Sequence, residues 1–192
     1  MSSSAPDNDR RVVRTRRDIG ATVRILLVDE GWDAITHQRV ADHSGYGRNT
    51  VYRHFPDRTA LLLHAGIFED DGEHSTPTGE PRADLLAETT AFRDILFHGP
   101  LGTLLSVIVE RAERDPEVIS MRDQIVASGT AITRSALLAA QEAGEVDPNE
   151  SIDALVSRVC GPVLYARMCL AKPPSDDEIK QIVDAVFLRP AG

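Results

Sequence analysis

Along this 192-residue chain the apolar positions take up helical spacing from Thr15 onward. Ile19, Val23 and Leu26 stand at steps of four and three, one stripe on a helix of 3.6 residues per turn. The stretch before them, MSSSAPDNDRR, has no apolar period and is expected to be a flexible, Arg-rich arm over residues 1–14. The first helix should stop near Glu30-Gly31, because glycine readily takes the left-handed conformation that closes a helix. Thr36 is an N-cap for a second helix that carries Val40 and Ala41 inward. Ser44-Gly45-Tyr46-Gly47 reads as a tight turn before a third helix over 48–54. Pro56 breaks that helix, and Asp57 caps a fourth through Leu61, Leu62, Ala65 and Phe68.

A polar stretch over 70–82, holding Gly72, Pro77, Gly79 and Pro81, reads as a loop. Helices are then expected over 83–97, 101–114 and 117–143. The last of these places Val118, Ile125, Ile132 and Ala139 at steps of seven, a bundle-type stripe. Gly144 ends it, Asp147-Pro148 opens a helix to 171, and Asp176 caps a last one through Phe187. No run alternates with period two, so the chain reads as all-α, with about nine helices. The expected division is an arm over 1–14, a short-helix head over 15–60 and a long-helix body over 61–192.

The eighth helix carries two apolar stripes. Ile152, Val156, Val159, Val163, Ala166 and Leu170 form one, and Leu155, Pro162, Tyr165 and Cys169 the other. A helix apolar on two sides must bury both, one in its own core and one against a further surface, most economically a second copy of the chain. Pro162 cannot donate to the Arg158 carbonyl, so a kink is expected there. The last helix has an Ile179, Ile182, Val183, Val186 face. Val156, Val159, Val163, Ile179, Ile182, Val183 and Val186 are therefore the expected interface of a homodimer.

Charge changes the picture of the head. The whole chain carries -9, an apparent obstacle to nucleic-acid binding. Residues 1–60, however, hold ten Arg against eight acids, while the remainder holds eleven cations against 22 acids. Polyanion contact is thereby restricted to one end. Within that end the segment GYGRNTVYRHFPDR places Arg48, Asn49, Thr50, Tyr52, His54 and Arg58 within eleven residues. These side chains donate to phosphates and base edges. They ride on a helix fastened to its neighbours by Val51 and Phe55, as a DNA-reading helix requires.

Residues 15–63 resemble the DNA-binding head of the tetracycline-repressor family of bacterial regulators. That head ends in a Gly, a short turn, a Thr-[Leu/Val]-Tyr-x-[His/Phe]-[Phe/Val] run and a basic residue. Gly45, Thr50-Val51-Tyr52-Arg53-His54-Phe55 and Arg58 follow the pattern, with Gly31, Thr36 and Val40-Ala41 upstream. The run GPVLYARMCLAKPPSDDEIKQIVDAVF is similar to the last two helices of one branch of the family. His37 stands where Val or Met is usual, Tyr46-Gly47 where Val-Ser is usual, and Arg58 where Lys is usual. The resemblance implies a helix-turn-helix with Gln38, Arg48 and Asn49 as base contacts. Arg favours guanine and Asn adenine by bidentate geometry. Thr36, His37, Thr50, Tyr52, His54 and Arg58 are the expected phosphate contacts.

The same resemblance implies a homodimer on a near-palindromic double-stranded operator, released by an unidentified small molecule bound in the body. His64, Phe68, Phe92, Phe97, Leu105, Met121 and Tyr165 are the apolar and aromatic positions that could line its pocket. A regulator without a small ligand, or an all-α enzyme or carrier, are the alternatives. No catalytic residue, cofactor or metal is expected, since the six histidines lack spacing such as H-E-x-x-H and no P-loop, G-x-S-x-G or three-glycine dinucleotide motif occurs. Cys160 and Cys169 lie about 13 Å apart along one helix, beyond disulfide reach. They are expected to be buried thiols in a reducing cytoplasm. No signal-peptide-like or membrane-length apolar run occurs, so a soluble cytoplasmic protein is expected.

Overall fold

In the computed structural model, residues 5–66, 75–99 and 101–188 are described, and every regular element among them is helical. They form two compact units: Met1–Glu69 with Thr103–Ile125, and Asp70–Gly102 with Val126–Gly192. The first unit includes a segment, Thr103–Ile125, from within the 61–192 range of the sequence-based division. The proposed pocket residue Phe68 lies outside the described residues.

Helix α1 (Ala5–Glu30) begins within the stretch expected to be a flexible arm. Arg10, Arg11 and Arg14, good helix formers, continue the helix N-terminally once its apolar half is docked. Ile19, Val23, Leu26 and Leu27 are buried along one side. The helix ends where the Gly31 N–H reaches the Leu27 carbonyl at 3.1 Å. A single 3-10 turn, Trp32–Ala34, leads to α2 (His37–Ser44), whose first turn is capped by Thr36 Oγ1 accepting from the Arg39 N–H at 3.2 Å. Gly45, at φ 74°, makes the left-handed turn that a side chain would strain. α3 (Arg48–His54) follows, then α4 (Arg58–Gly66), with Asp57 Oδ1 accepting from the Ala60 N–H at 2.7 Å. Ile35, Val40, Val51, Phe55 and Leu61 close the core between these four helices.

α5 (Pro81–His98) starts at its proline, which needs no N–H partner in a first turn. Asp84 accepts from the Thr78 and Gly79 N–H groups and the Thr78 hydroxyl. These bonds, those of Thr78 first, hold its carboxyl below the usual range. α6 (Leu101–Ala112) and α7 (Pro116–Gly129) follow. Where the seven-residue spacing predicts one helix over 117–143, the chain breaks at Thr130, whose hydroxyl donates to the Val126 carbonyl at 2.8 Å. α8 (Ala131–Glu142) then turns Thr133, Ala136, Leu137 and Ala140 inward, leaving Ile132 half-buried and Ala139 exposed. Ten α-helices are present among the described residues, one more than expected for this reason.

α9 (Ile152–Tyr165) runs on through Pro162, and a π-helical turn, Ala166–Leu170, follows it. α10 (Asp176–Asp184) opens on a capping box between Ser175 and Glu178. The expected dimer stripe has a different place. Val156, Val159, Val183 and Val186 lie in the chain's own core with Leu85, Leu137, Ala140 and Leu155. Val163 and Ile179 are fully buried, and Ile182 is half-buried. With α5 and α8 both packed on α9, its main stripe from Val156 to Ala166 is covered within one chain. What stays outside is the C-terminal half of the second stripe, Pro162, Tyr165 and Cys169, beside Met168 and Leu170. Cys169 is thus exposed, whereas Cys160 is buried and its thiol pushed up to about 11 by desolvation.

Candidate nucleic-acid interface

The turn Gly45-Tyr46-Gly47 sets α3 across α2, and Tyr46 secures it by donating its hydroxyl to Asp18 of α1 at 2.7 Å. Bonding to that carboxylate, then burial, raises the Tyr46 pKa, so the contact persists across the neutral range. Gly47 serves as a cap without a side chain, leaving Arg48 and Asn49 exposed at the start of α3.

Arg48 is held by a layered stack. Its guanidinium lies 5.4 Å from the Tyr52 ring centroid, a cation–π distance. Tyr52 in turn stacks on His37, with centroids 3.8 Å apart and planes 2° from parallel. His37 is anchored by its Nε2, 2.7 Å from the Phe55 carbonyl, at the buried end of α3. The recognition helix is thus tied to α2 by aromatic faces, and Arg48 is presented in a restricted orientation. Holding a long side chain before contact reduces the rotamer entropy lost on binding.

The other expected contacts divide. Gln38 is exposed and donates to Asp42 one turn on, at 2.8 Å, which leaves its carbonyl oxygen uncommitted to that bond. Thr36 is exposed with its hydroxyl hydrogen still to donate, and Thr50 is half-buried. His37 is only 8% exposed, and its imidazole is committed to Tyr52 and Phe55 as a packing group in place of the expected outward-facing phosphate donor. Arg58 is also turned inward. It donates to the Trp32 carbonyl, lies 5.2 Å over the Trp32 ring and 3.8 Å from Asp33, and its Nε is buried without a partner. Burial lowers its pKa. Arg111 of α6 sits 5.1 Å from the same indole and 3.3 Å from Asp33. Arg58 therefore belongs to a structural cluster around Trp32, a residue the apolar spacing did not single out. A preference for Arg over the usual Lys has a physical reason here, since a planar guanidinium stacks on indole.

The described members of the pocket set fall in both units. His64 is a head-core residue, its Nε2 2.8 Å from the Arg16 carbonyl and its ring 4.8 Å from that of Phe55. Leu105 and Met121 are buried in the first unit. In the second, Phe92 and Phe97 are half-buried and Tyr165 is 60% exposed. An open cleft of about 950 Å³ does lie in the second unit, bordered by Pro81, Arg82, Leu86, Glu145, Val183 and Leu188, of which apolar spacing had marked only Val183, and that for the dimer interface. Among the described residues no cluster of His, Cys, Asp or Glu could hold a metal ion, and no single helix is long and apolar enough to cross a membrane.

The chain matches known proteins along most of its length. Residues 21–65 match the tetR family of bacterial regulatory proteins, and residues 76–186 the tetracyclin repressor-like C-terminal domain. An uncharacterized HTH-type transcriptional regulator of Mycobacterium tuberculosis is 29% identical over 174 residues, covering 88% of this chain and 84% of that protein. The crystal structure of the TetR family transcription regulator SCO0332 superposes with a TM-score of 0.70 at 27% identity, over 88% of this chain and 94% of that one. A regulator from Saccharomonospora viridis, solved in complex with choline, shares the fold at a TM-score of 0.60 and 15% identity, over 92% of this chain and 100% of that one.

Proposed function

Since the chain belongs to the tetracycline-repressor family of helix-turn-helix transcriptional regulators, we propose that it acts as a homodimeric repressor of a near-palindromic operator, released by a small molecule. The stacked Arg48–Tyr52–His37 column carries this reading, because it pre-orients a base-reading side chain at the exposed start of α3. Arg48 would bind guanine and Asn49 adenine, with Gln38 beside them. Thr36, Thr50, Tyr52 and His54 would contact phosphates. At position 37 the backbone N–H at the start of α2 takes that role, since a helix N-terminus favours an anion.

Two heads would enter successive major grooves about one turn, ~34 Å, apart. The partner chain would cover Pro162, Tyr165, Met168 and Leu170, apolar side chains that one chain leaves in water. A ligand releases DNA only by preferring the unfit head spacing, and a shift from 1:99 to 99:1 takes about 5.5 kcal/mol of such preference. The choline complex of the Saccharomonospora regulator supports a small-molecule effector in this fold. Selection of bound sequences from a random duplex library tests the whole reading. A two-fold symmetric site is expected from the native protein, with relaxed preference at one symmetric position for Arg48→Ala. Recovery of no preferred sequence would overturn it.

A further inference from the structure

The N-terminal half of α1 lies outside the helix-turn-helix, yet it carries the densest run of cations in the chain. Arg10, Arg11, Arg14, Arg16 and Arg17 fall within eight residues that contain no acid. Like charges on successive helical turns repel and weaken a helix. A nearby polyanion reverses the sign of that effect.

The structure aims part of this run at α3. Arg16 donates to the His54 carbonyl at 3.3 Å and its guanidinium lies 4.8 Å over the Phe55 ring. Its own carbonyl is 2.8 Å from the His64 imidazole. These contacts fix the rotation of α1 against the C-terminal end of α3. One residue earlier Thr15 is buried and bonds the Arg11 carbonyl at 2.9 Å. A groove of about 410 Å³ results, lined by Arg11, Val12 and Thr15 from α1 and by Arg53 and His54 from α3. It contains no carboxylate, and Arg11 and Arg53 are both exposed along it. Burial, followed by Arg53 and Arg16, holds the His54 pKa below its ordinary value, in keeping with a positive local field.

The position of the groove along α3 selects its ligand. Arg53 stands five residues beyond Arg48, about 7.5 Å along the helix axis. The major groove is about 12 Å wide. With Arg48 on the base edges, the far end of α3 therefore lies at the rim, where backbone phosphates are and bases are not. We propose that the α1–α3 groove is a DNA-phosphate clamp, in which Arg11 and Arg53 close from two helices on a backbone phosphate beside His54. The clamp rests on the helix-turn-helix reading above. It extends each head's grip to α1 and adds affinity without adding sequence preference.

The test is the salt dependence of binding to the selected operator and to a random duplex. Arg11→Gln with Arg53→Gln should lower the slope of log affinity against log salt by about 1.8 for a dimer, one phosphate per head. Native and variant affinities should then converge by about tenfold between 50 and 200 mM salt. The loss should be the same on both duplexes, and Arg11→Lys with Arg53→Lys should restore most of the slope. A melting temperature equal to that of the native protein confirms that the fold is intact. An unchanged slope, or a loss confined to the operator, overturns the clamp while leaving the regulator reading in place. Native protein without salt-dependent DNA binding would overturn that reading itself.

Discussion

α3 and α9 are both partly exposed, and what they leave in water differs in kind. α3 buries Val51 and turns Arg48, Asn49, Tyr52 and Arg53 outward, all groups that donate hydrogen bonds or carry charge. α9 buries Leu155, Val156, Val159, Cys160 and Val163, yet it and the π-helical turn after it still expose Pro162, Tyr165, Met168 and Leu170. The first surface is matched by a polyanion and the second by another apolar surface. The chemistry of the exposed side, more than its extent, separates a nucleic-acid face from a protein face.

The sharpest way to break this comparison is to place a carboxylate on each side of α9. Val159→Glu puts an unpaired charge at a position 1% exposed, among Leu137, Val156 and Val183. It should cost several kcal/mol and collapse the thermal transition. Tyr165→Glu, at a position 60% exposed, should leave the single chain's stability within about 0.5 kcal/mol. It should nevertheless convert a dimer to monomer in sedimentation and lower operator affinity with it. Equal stability losses for the two variants would show that both sides of α9 face the same core.

On α3 the expected effects are smaller and concern preference. Arg48→Ala should cost ~1–3 kcal/mol of discrimination at one symmetric operator position, measured by competition with singly altered sites. Tyr52→Phe retains the ring that stacks on His37 and supports Arg48, so it should keep that discrimination. Tyr52→Leu, which removes the aromatic stack, should lose part of it.

Arg58→Ala sharpens the contrast between a cation that faces DNA and one that does not. Because Arg58 is held by Trp32 and Asp33, its loss should lower the melting temperature by a few degrees, about 1 kcal/mol, and leave the salt slope unchanged. A reduced slope would return it to the phosphate contacts.

The smallest expected effect is the pH dependence of binding through His54. Burial and the neighbouring Arg53 and Arg16 keep this imidazole neutral at pH 7 in the free head. A phosphate alongside favours the protonated form, so DNA binding takes up a proton and affinity should rise a few-fold as pH falls from 8 to 6. His54→Gln should flatten that profile. The depressed pKa acts oppositely on the free fold, whose stability is fully present above about 6.5 and declines as pH falls below it.

The short helices of the head are written locally. Thr36, Gly45, Gly47 and Asp57 each act on backbone groups within a few residues, so α2, α3 and α4 were legible from spacing and cap chemistry alone. Arg48 and Asn49 were legible for the same reason, since the start of a short capped helix has to be exposed. Position 37 and Arg58 were not. A histidine and an arginine are as compatible with a phosphate as with an aromatic ring, and only the approach of Tyr52, Phe55 and Trp32 from elsewhere in the chain decides between them. The Arg10–Arg17 run was visible but without direction until Arg16 docked on the end of α3.

In the body, periodicity alone determined that the chain is helical and that α9 has two apolar sides. It did not determine which side is inward, because a stripe of valines has the same spacing whether α5 and α8 cover it or a second chain does. The break at Thr130 does carry a local signal, Gly129 followed by a threonine at the cap position, but the seven-residue apolar spacing that runs across it reads as one helix. Arg167 reaches the Leu96 carbonyl at 2.9 Å where Gly102, lacking a side chain, leaves the guanidinium room. Nothing in the spacing of three residues so far apart could announce that contact. Helix ends and helix faces are set by interactions within a few residues, whereas the choice between two equivalent faces is made by whichever long-range partner covers one of them first.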